Sequence, residues 1–316
     1  MESPSHDVRV TQLTWEADGV LAVRFRDARG GTLPSWEPGA HLTVHLPNGL
    51  AREYSLCSDP ADPDGWTVAV LDEADSRGGS RYVHATLRPG DLVRVSGPRN
   101  SFALEPAEHY RLVAGGIGIT PILAMARELA RRGADWQLLY AGRSAASMAF
   151  TEELLALGPD RVRLHADDQA GGPPDLAALL AGPEPGTLVY ACGPEPLLAA
   201  VAAVLDDPGT LRLERFKAPA PVAHDGPDQP FEIVCRASGR VVRVPAGSTA
   251  LAALAEAGID VPSSCTEGIC GTCETKVLAG RVDHRDYLLT ESEKHAGNVM
   301  FVCVSRALDP EITLDL

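Results

Sequence analysis

Cys265, Cys270 and Cys273 stand as C-x4-C-x2-C, and Cys303 lies well downstream. This spacing is that of a [2Fe–2S] ligand set. Four thiolates must surround two irons, so a tight loop supplies three and a distant strand returns the fourth. Gly268 and Gly271 sit between the ligands. A loop wrapping a cluster needs positive φ and close backbone approach, which glycine allows without a Cβ penalty. Backbone N–H groups aimed at the sulfurs help set the potential. A zinc site usually pairs two C-x2-C knuckles, and here there is one. Buried free thiols are the remaining reading, and they do not explain the spacing. The chain has seven cysteines, an odd count, and four fall in this one region. That pattern speaks for metal chemistry and against a disulfide framework.

A cluster loop occupies only part of the chain. At 316 residues the expectation is two or three domains, each with its own core. Hydrophobic residues make up 45% and charged residues 22%, an ordinary globular mixture. The formal net charge of −15 excludes a generally basic nucleic-acid binder and suits a cytoplasmic protein that meets a basic partner face. Met1 to Val10 is polar and does not read as a secretory signal. The longest apolar run, Leu112 to Ala126, is interrupted by Gly115, Gly116, Gly118 and Pro121, so no membrane span is expected.

The first third reads as strands: Val8 to Leu13, Gly19 to Phe25, His41 to Leu46 and Trp66 to Leu71. Gly and Pro punctuate them, which suggests an antiparallel barrel. From Tyr110 strand and helix alternate. Tyr110–Ala114, Trp136–Ala141, Arg161–His165 and Thr187–Cys192 read as strands. Pro121–Arg132, Met148–Leu157, Asp175–Leu180 and Glu195–Leu205 read as helices. Such alternation means a parallel sheet with helices on its faces. Ala218 to Pro230 carries four prolines and is the linker candidate. Phe231–Val234 and Arg240–Val244 then read as a hairpin and Thr249–Ala257 as a helix. The expected division is 1–104, 105–217, a linker 218–230, and 231–316.

Cys265 to Cys273 (C-T-E-G-I-C-G-T-C) resembles the loop of plant-type ferredoxins, and Asp283 to Leu288 (D-H-R-D-Y-L) with Leu289-Thr290 resembles the segment that follows it in one group of reductases. With the two upstream parts, nearly the whole chain resembles the phthalate dioxygenase reductase family. The resemblance implies a multidomain fold: an antiparallel β-barrel for flavin, an α/β parallel-sheet domain for pyridine nucleotide, and an α+β β-grasp ferredoxin domain.

Arg52-Glu53-Tyr54-Ser55 is similar to the R-x-Y-S motif of the ferredoxin reductase superfamily. An Arg on a strand offers a fork for phosphate, and Tyr54, two residues on, shares its face and can lie against an isoalloxazine ring. By residue type alone this is also an ordinary strand; the resemblance selects the flavin site. Arg77, Gly78, Gly79 and Ser80 read as an anion nest in a loop, which in the family receives the flavin phosphate. No extra segment stands ready for an adenylate, which favours FMN over FAD.

Gly115, Gly116 and Gly118, followed by Thr120, join a strand to a helix. Glycines let backbone approach a pyrophosphate, and the helix N-terminus favours it. The motif departs from G-x-G-x-x-G and is weak by itself. The resemblance places Thr120 near flavin and nicotinamide, and Cys192, Gly193 and Pro194 beside the nicotinamide. Cys192 also reads as a small buried hydrophobe. Phe216 is expected against the flavin, where nicotinamide must displace it. Arg143 and Ser144 follow the second strand of the sheet, where a ribose contact is expected. With no carboxylate beside them along the chain, Arg143 suits a 2′-phosphate, whereas the family's usual donor is NADH, so NADH and NADPH both stay open. The implied function is electron transfer from NAD(P)H through flavin to the cluster and on to an iron oxygenase or other one-electron acceptor, in some relatives a cytochrome P450. A stand-alone flavin or quinone reductase with an auxiliary cluster is the alternative. An electron-transfer ferredoxin with a degenerate reductase portion conflicts with the intact motifs.

Overall fold

In a computed structural model the chain is described at residues 4–180, 184–219 and 227–316. The alternating first third forms β1 (Ser5–Ala17), β2 (Val20–Asp27), β3 (Ala40–His45), β4 (Ala51–Ser55), β5 (Trp66–Leu71) and β6 (Leu92–Asn100), with α1 (Gly79–Ala85) between the last two. The strands are antiparallel in the order β4-β3-β6-β1-β2-β5. Leu56, just past β4, bridges Val68 on β5, so the two edge strands meet and the sheet curls toward a barrel. Val8, Val10, Val23, Phe25, Leu42 and Val95 fill its interior. Their spacing of two is the strand period that the sequence displays.

The alternating second third forms β7 (His109–Gly115), α2 (Ile119–Arg132), β8 (Asp135–Gly142), α3 (Thr151–Leu157), β9 (Val162–Ala166), α4 (Asp167–Ala170), α5 (Leu176–Leu180), β10 (Thr187–Cys192), α6 (Glu195–Val204) and β11 (Leu211–Glu214). The sheet is wholly parallel, in the order β11-β10-β7-β8-β9. Strand order therefore reverses between β7 and β10, and the crevice at their carboxyl ends is the ligand position of such sheets. Two helix boundaries differ from expectation. α2 starts at Ile119, continuing a 3-10 turn at Gly116–Gly118. α3 starts at Thr151 and not at Met148, because Phe150 takes a left-handed φ of 62° that a helix cannot contain.

Barrel and parallel sheet belong to one compact unit that ends at Phe216. Ala17, Ala22, Cys57, Ala69 and Phe102 from the barrel side share a core with Tyr110, Ile122, Tyr190 and Cys192. Arg127 of α2 also donates to the carbonyl of Cys57.

A second unit starts at Lys217. It holds β12 (Phe231–Cys235), β13 (Arg240–Val244), α7 (Ala250–Glu256), β14 (Glu274–Ala279), β15 (Val282–Asp283), α8 (Glu291–Ala296), β16 (Val299–Phe301), β17 (Arg306–Ala307) and β18 (Glu311–Leu314). The main sheet runs β13-β12-β18-β14-β16, with β12 and β18 parallel, and β15 pairs with β17. α7 seats Ala250, Ala253 and Leu254 in the core, and Thr249 caps it by accepting the Ala252 amide at 3.1 Å. This mixed sheet with its packed helix is the expected β-grasp. Of the expected linker, residues 220–226 lie outside the described residues. Among the described residues no helix is long and apolar enough to cross a membrane.

Candidate functional site

The four cysteines come together in the second unit. The loop between α7 and β14 carries Cys265, Cys270 and Cys273, and Cys303 follows β16. Cys270, Cys273 and Cys303 are buried, and Cys265 is half-buried. The thiols fall into two pairs. A hydrogen bond with Cys265, reinforced by burial, pushes the Cys270 thiol up. A hydrogen bond from Cys303 lowers Cys273, and that contact with burial raises Cys303 itself.

The loop is built for close approach. Thr266, Gly268 and Gly271 have φ of 59°, 72° and 80°. A β-branched residue at positive φ is strained, a condition that clusters at functional sites. The turn at Thr266 delivers the Glu267 amide to Cys265 Sγ at 3.3 Å, and Thr272 Oγ1 lies 3.2 Å from Cys270 Sγ. A Cβ on Gly268 would stand 2.7 Å from Val304 Cγ2 and 3.2 Å from Asp286 Cα. These residues fit a [2Fe–2S] cluster in number and chemistry.

In the first unit β4 carries Arg52 and Tyr54 on one face. Arg52 lies along the second motif: its guanidinium donates to the Arg77 carbonyl at 3.4 Å, and a Cβ on Gly79 would meet Arg52 Cγ at 2.7 Å. The structure thus brings Arg52 and Arg77–Gly79 together; burial pushes the Tyr54 hydroxyl up to about 12. Gly78, with φ of 98°, turns the chain into α1, so Gly79 and Ser80 open a helix where the sequence reads as an anion nest in a loop. Ser80 Oγ is occupied locally, accepting the Glu73 amide at 3.3 Å and donating to Ser76 at 2.9 Å.

Ser55 is buried and points toward the parallel sheet. Its hydroxyl donates to Glu214 Oε2 at 3.4 Å, and Cys192 Sγ lies 4.0 Å from the same oxygen. Burial raises Cys192 well above an ordinary thiol and lifts the Glu214 carboxyl to about 8. Sequence reasoning missed Glu214. Its one signal was a carboxylate at the carboxyl end of a strand, and only the fold shows that Ser55 meets it.

The two glycine turns also converge. β7 and β10 are neighbours, so Gly115 and Gly118 face Cys192–Pro194. A Cβ on Gly118 would fall 2.3 Å from the Cys192 carbonyl oxygen, and one on Gly115 would fall 2.7 Å from Pro194 Cδ. Gly116 has φ of 53° with open space around it. Thr120 is buried and its hydroxyl donates to the Ile117 carbonyl at 3.0 Å, fastening the turn. Phe216, just beyond β11, is 39% exposed. Arg143 is exposed, and Ser144 bonds Ser147 at 3.1 Å. The Asp168 amide donates to the Arg143 carbonyl at 3.2 Å, which sets the start of α4, Asp167 and Asp168, beside Arg143. The Asp167 carboxylate itself lies 3.4 Å from His165 Nε2.

Residues 233–308 match the 2Fe-2S iron-sulfur cluster binding domain, and residues 98–213 match the N-terminal domain of dimethylamine monooxygenase subunit DmmA-like proteins. The chain is 45% identical to the putative toluene-4-sulfonate monooxygenase system reductase subunit of Comamonas testosteroni, over 98% of each protein. It is similar to the solved phthalate dioxygenase reductase, with 36% identity and a TM-score of 0.72, covering 99% of this chain and 98% of that one. It is also similar to part of an intact type IV self-sufficient cytochrome P450 monooxygenase, with 45% identity and a TM-score of 0.91, covering 99% of this chain and 41% of that one. Paired thiols in a β-grasp unit, two facing glycine turns and an Arg-Tyr-Ser strand, together with end-to-end likeness to these reductases, show that the chain belongs to the phthalate dioxygenase reductase family of oxidoreductases that serve oxygenase systems.

Proposed function

We propose that the chain takes electrons from NADH onto FMN, passes them to a cluster on Cys265, Cys270, Cys273 and Cys303, and delivers them to a separate iron oxygenase. The observation that carries this reading is the Glu214 junction, where Ser55 of the Arg-Tyr-Ser strand and Cys192 of the nucleotide crevice reach one carboxyl. It supports flavin and nicotinamide sharing one site. A flavin accepts two electrons as hydride and releases them singly, the step needed between a nicotinamide and a one-electron centre. In this reading Arg52 and the amides at Arg77–Ser80 hold the phosphate, and Tyr54 lies against the ring. The turns at Gly115–Gly118 and Cys192–Pro194 hold the nucleotide backbone. Phe216 covers the flavin until nicotinamide arrives, and Thr120 fixes the turn through Ile117. We draw the division between flavin and nucleotide parts at 104/105 and the linker at 218–230.

FMN is favoured over FAD because β6 ends at Asn100 and β7 begins at His109, leaving little chain to hold an adenylate. NADH is favoured because the start of α4, which carries Asp167 and Asp168, is held to the Arg143 carbonyl, and a carboxylate at that strand end would suit a ribose 2′-hydroxyl over a 2′-phosphate. Four ligand thiolates need a reducing compartment, which points to the cytoplasm. Releasing the flavin by heat and comparing kcat/KM for both donors tests these choices. FMN and a higher value with NADH are expected. FAD, or a preference for NADPH, overturns the corresponding assignment.

Arg52→Ala should weaken FMN binding by about one to two decades, from loss of a charge-assisted contact worth roughly 1.5–3 kcal/mol. Flavin content after gel filtration of diluted protein reads this directly, and full retention removes Arg52 from the site.

Glu214 adds a pH signature. With its carboxyl raised from 4.5 to about 8, the folded chain keeps a proton that the unfolded chain has released across that window. Stability therefore falls as pH rises from about 4.5 to about 8. Glu214→Gln should lack this slope. Its thermal melts should approach wild type near the acid end and exceed it above the upper end, by on the order of a few kcal/mol. Parallel curves would show that the carboxyl titrates normally.

A further inference from the structure

Residues 282–289 form a strap that binds two parts of the cluster site together. On one side β15 pairs with β17, and the Arg285 amide donates to Ser305 Oγ at 3.2 Å, fixing the strap to the segment after Cys303. On the other side the Tyr287 amide donates to the carbonyl of Gly268, between Cys265 and Cys270, at 3.0 Å. Inside this strap two polar side chains face each other. His284 Nδ1 lies 3.5 Å from Asp286 Oδ2, and the side chains are 7% and 0% exposed. Asp286 Oδ1 accepts the amides of Leu288 and Leu289 at 3.1 and 2.9 Å. Oδ2 and both His284 ring nitrogens have no hydrogen-bond partner among the described residues.

Such a pair is expensive as plain scaffolding, because buried polar atoms without partners forfeit solvation and gain nothing back. The exposed tie of the same unit, Arg281 on Asp309, is by contrast fully bonded. The backbone of Asp286 lies against the Gly268 turn of the ligand loop. A carboxylate fixed there, away from solvent, acts on a nearby redox centre with little screening.

We propose that Asp286, faced by His284, is a positioning residue whose buried carboxylate holds the reduction potential of the cluster down, while its strap keeps the three-cysteine loop registered on Cys303. The inference rests on the cluster assignment. Removing one negative charge favours the reduced cluster, and a tenfold change in that equilibrium is 59 mV for a one-electron couple.

The test uses the full-length holoprotein. Iron content is measured and the cluster is titrated by paramagnetic resonance in wild type, Asp286→Asn and Asp286→Glu. The expected result for Asp286→Asn is two irons per chain and a potential raised by about tenfold in the equilibrium, with the flavin potential unmoved and Asp286→Glu near wild type. An Asp286→Asn protein with full iron and an unchanged potential overturns the proposal. If Asp286→Asn loses its iron, Asp286→Glu decides. A restored cluster at wild-type potential supports the charge role, and loss in both makes Asp286 a packing residue and overturns it. Wild type without two irons would instead sink the cluster assignment.

Discussion

Cys270→Ser should abolish the absorption and paramagnetic signals of the cluster and leave flavin reduction by NADH intact. Cys270 is buried and paired with Cys265, so its loss strips one thiol from one of the two pairs. Serine keeps the size but presents a hydroxyl that is a poor ligand where soft thiolates are required. The reducible flavin assigned to the first unit has its own compact fold through Phe216. One-electron reduction of cytochrome c should vanish with the cluster, while ferricyanide, which a reduced flavin serves directly, should still be reduced. Stopped-flow reduction by NADH and the two acceptor assays read all three steps. A collapse of flavin reduction in a correctly folded Cys270→Ser protein would show that the two units do not act as modules.

Gly118→Ala should be nearly as damaging, at a different step. Its Cβ would fall 2.3 Å from the Cys192 carbonyl oxygen, 2.5 Å from the carbonyl carbon and 2.7 Å from the Gly193 nitrogen. All three are backbone atoms of the facing turn, so no side chain can swing away. Overpacking costs roughly 1–3 kcal/mol even where side chains relax. Here the relief must come from spreading the two turns assigned to the nucleotide, and a displacement of about 1 Å can cost roughly a hundredfold in rate. Gly116→Ala is the control. Its positive φ carries strain, but nothing lies within 4 Å of the new Cβ. Steady-state kcat/KM for NADH should drop about a hundredfold in Gly118→Ala and much less in Gly116→Ala. Equal, mild effects would move the nucleotide away from this crevice.

The cluster was legible in the sequence because metal ligation fixes spacing along the chain, and Cys265, Cys270 and Cys273 carry that spacing locally. The parallel sheet was legible because its strands are continuous apolar runs set off by Gly and Pro. What escaped was assembled by the fold. Glu214 gains its environment from Ser55, far away in sequence, and Asp168 reaches Arg143 only because β8 and β9 are neighbours. Ser80 was read as part of an anion nest and Thr120 as lying near flavin and nicotinamide, and both hydroxyls are bonded within their own turns. α3 lost its first turn to the left-handed Phe150, for which the sequence gives no steric warning. The strands β16 and β18 are short, and the pattern over so few residues does not separate strand from loop.

The core shared by Ala17, Ala22, Cys57, Ala69 and Phe102 with Tyr110, Ile122 and Tyr190 bears on how the protein can be dissected. Severing the chain at 104/105 would leave each fragment with a raw apolar wall and no water-facing alternative. Neither half should survive as a soluble piece. Heating should melt barrel and parallel sheet in a single endotherm, and cofactor loss and nucleotide loss should coincide on that one curve.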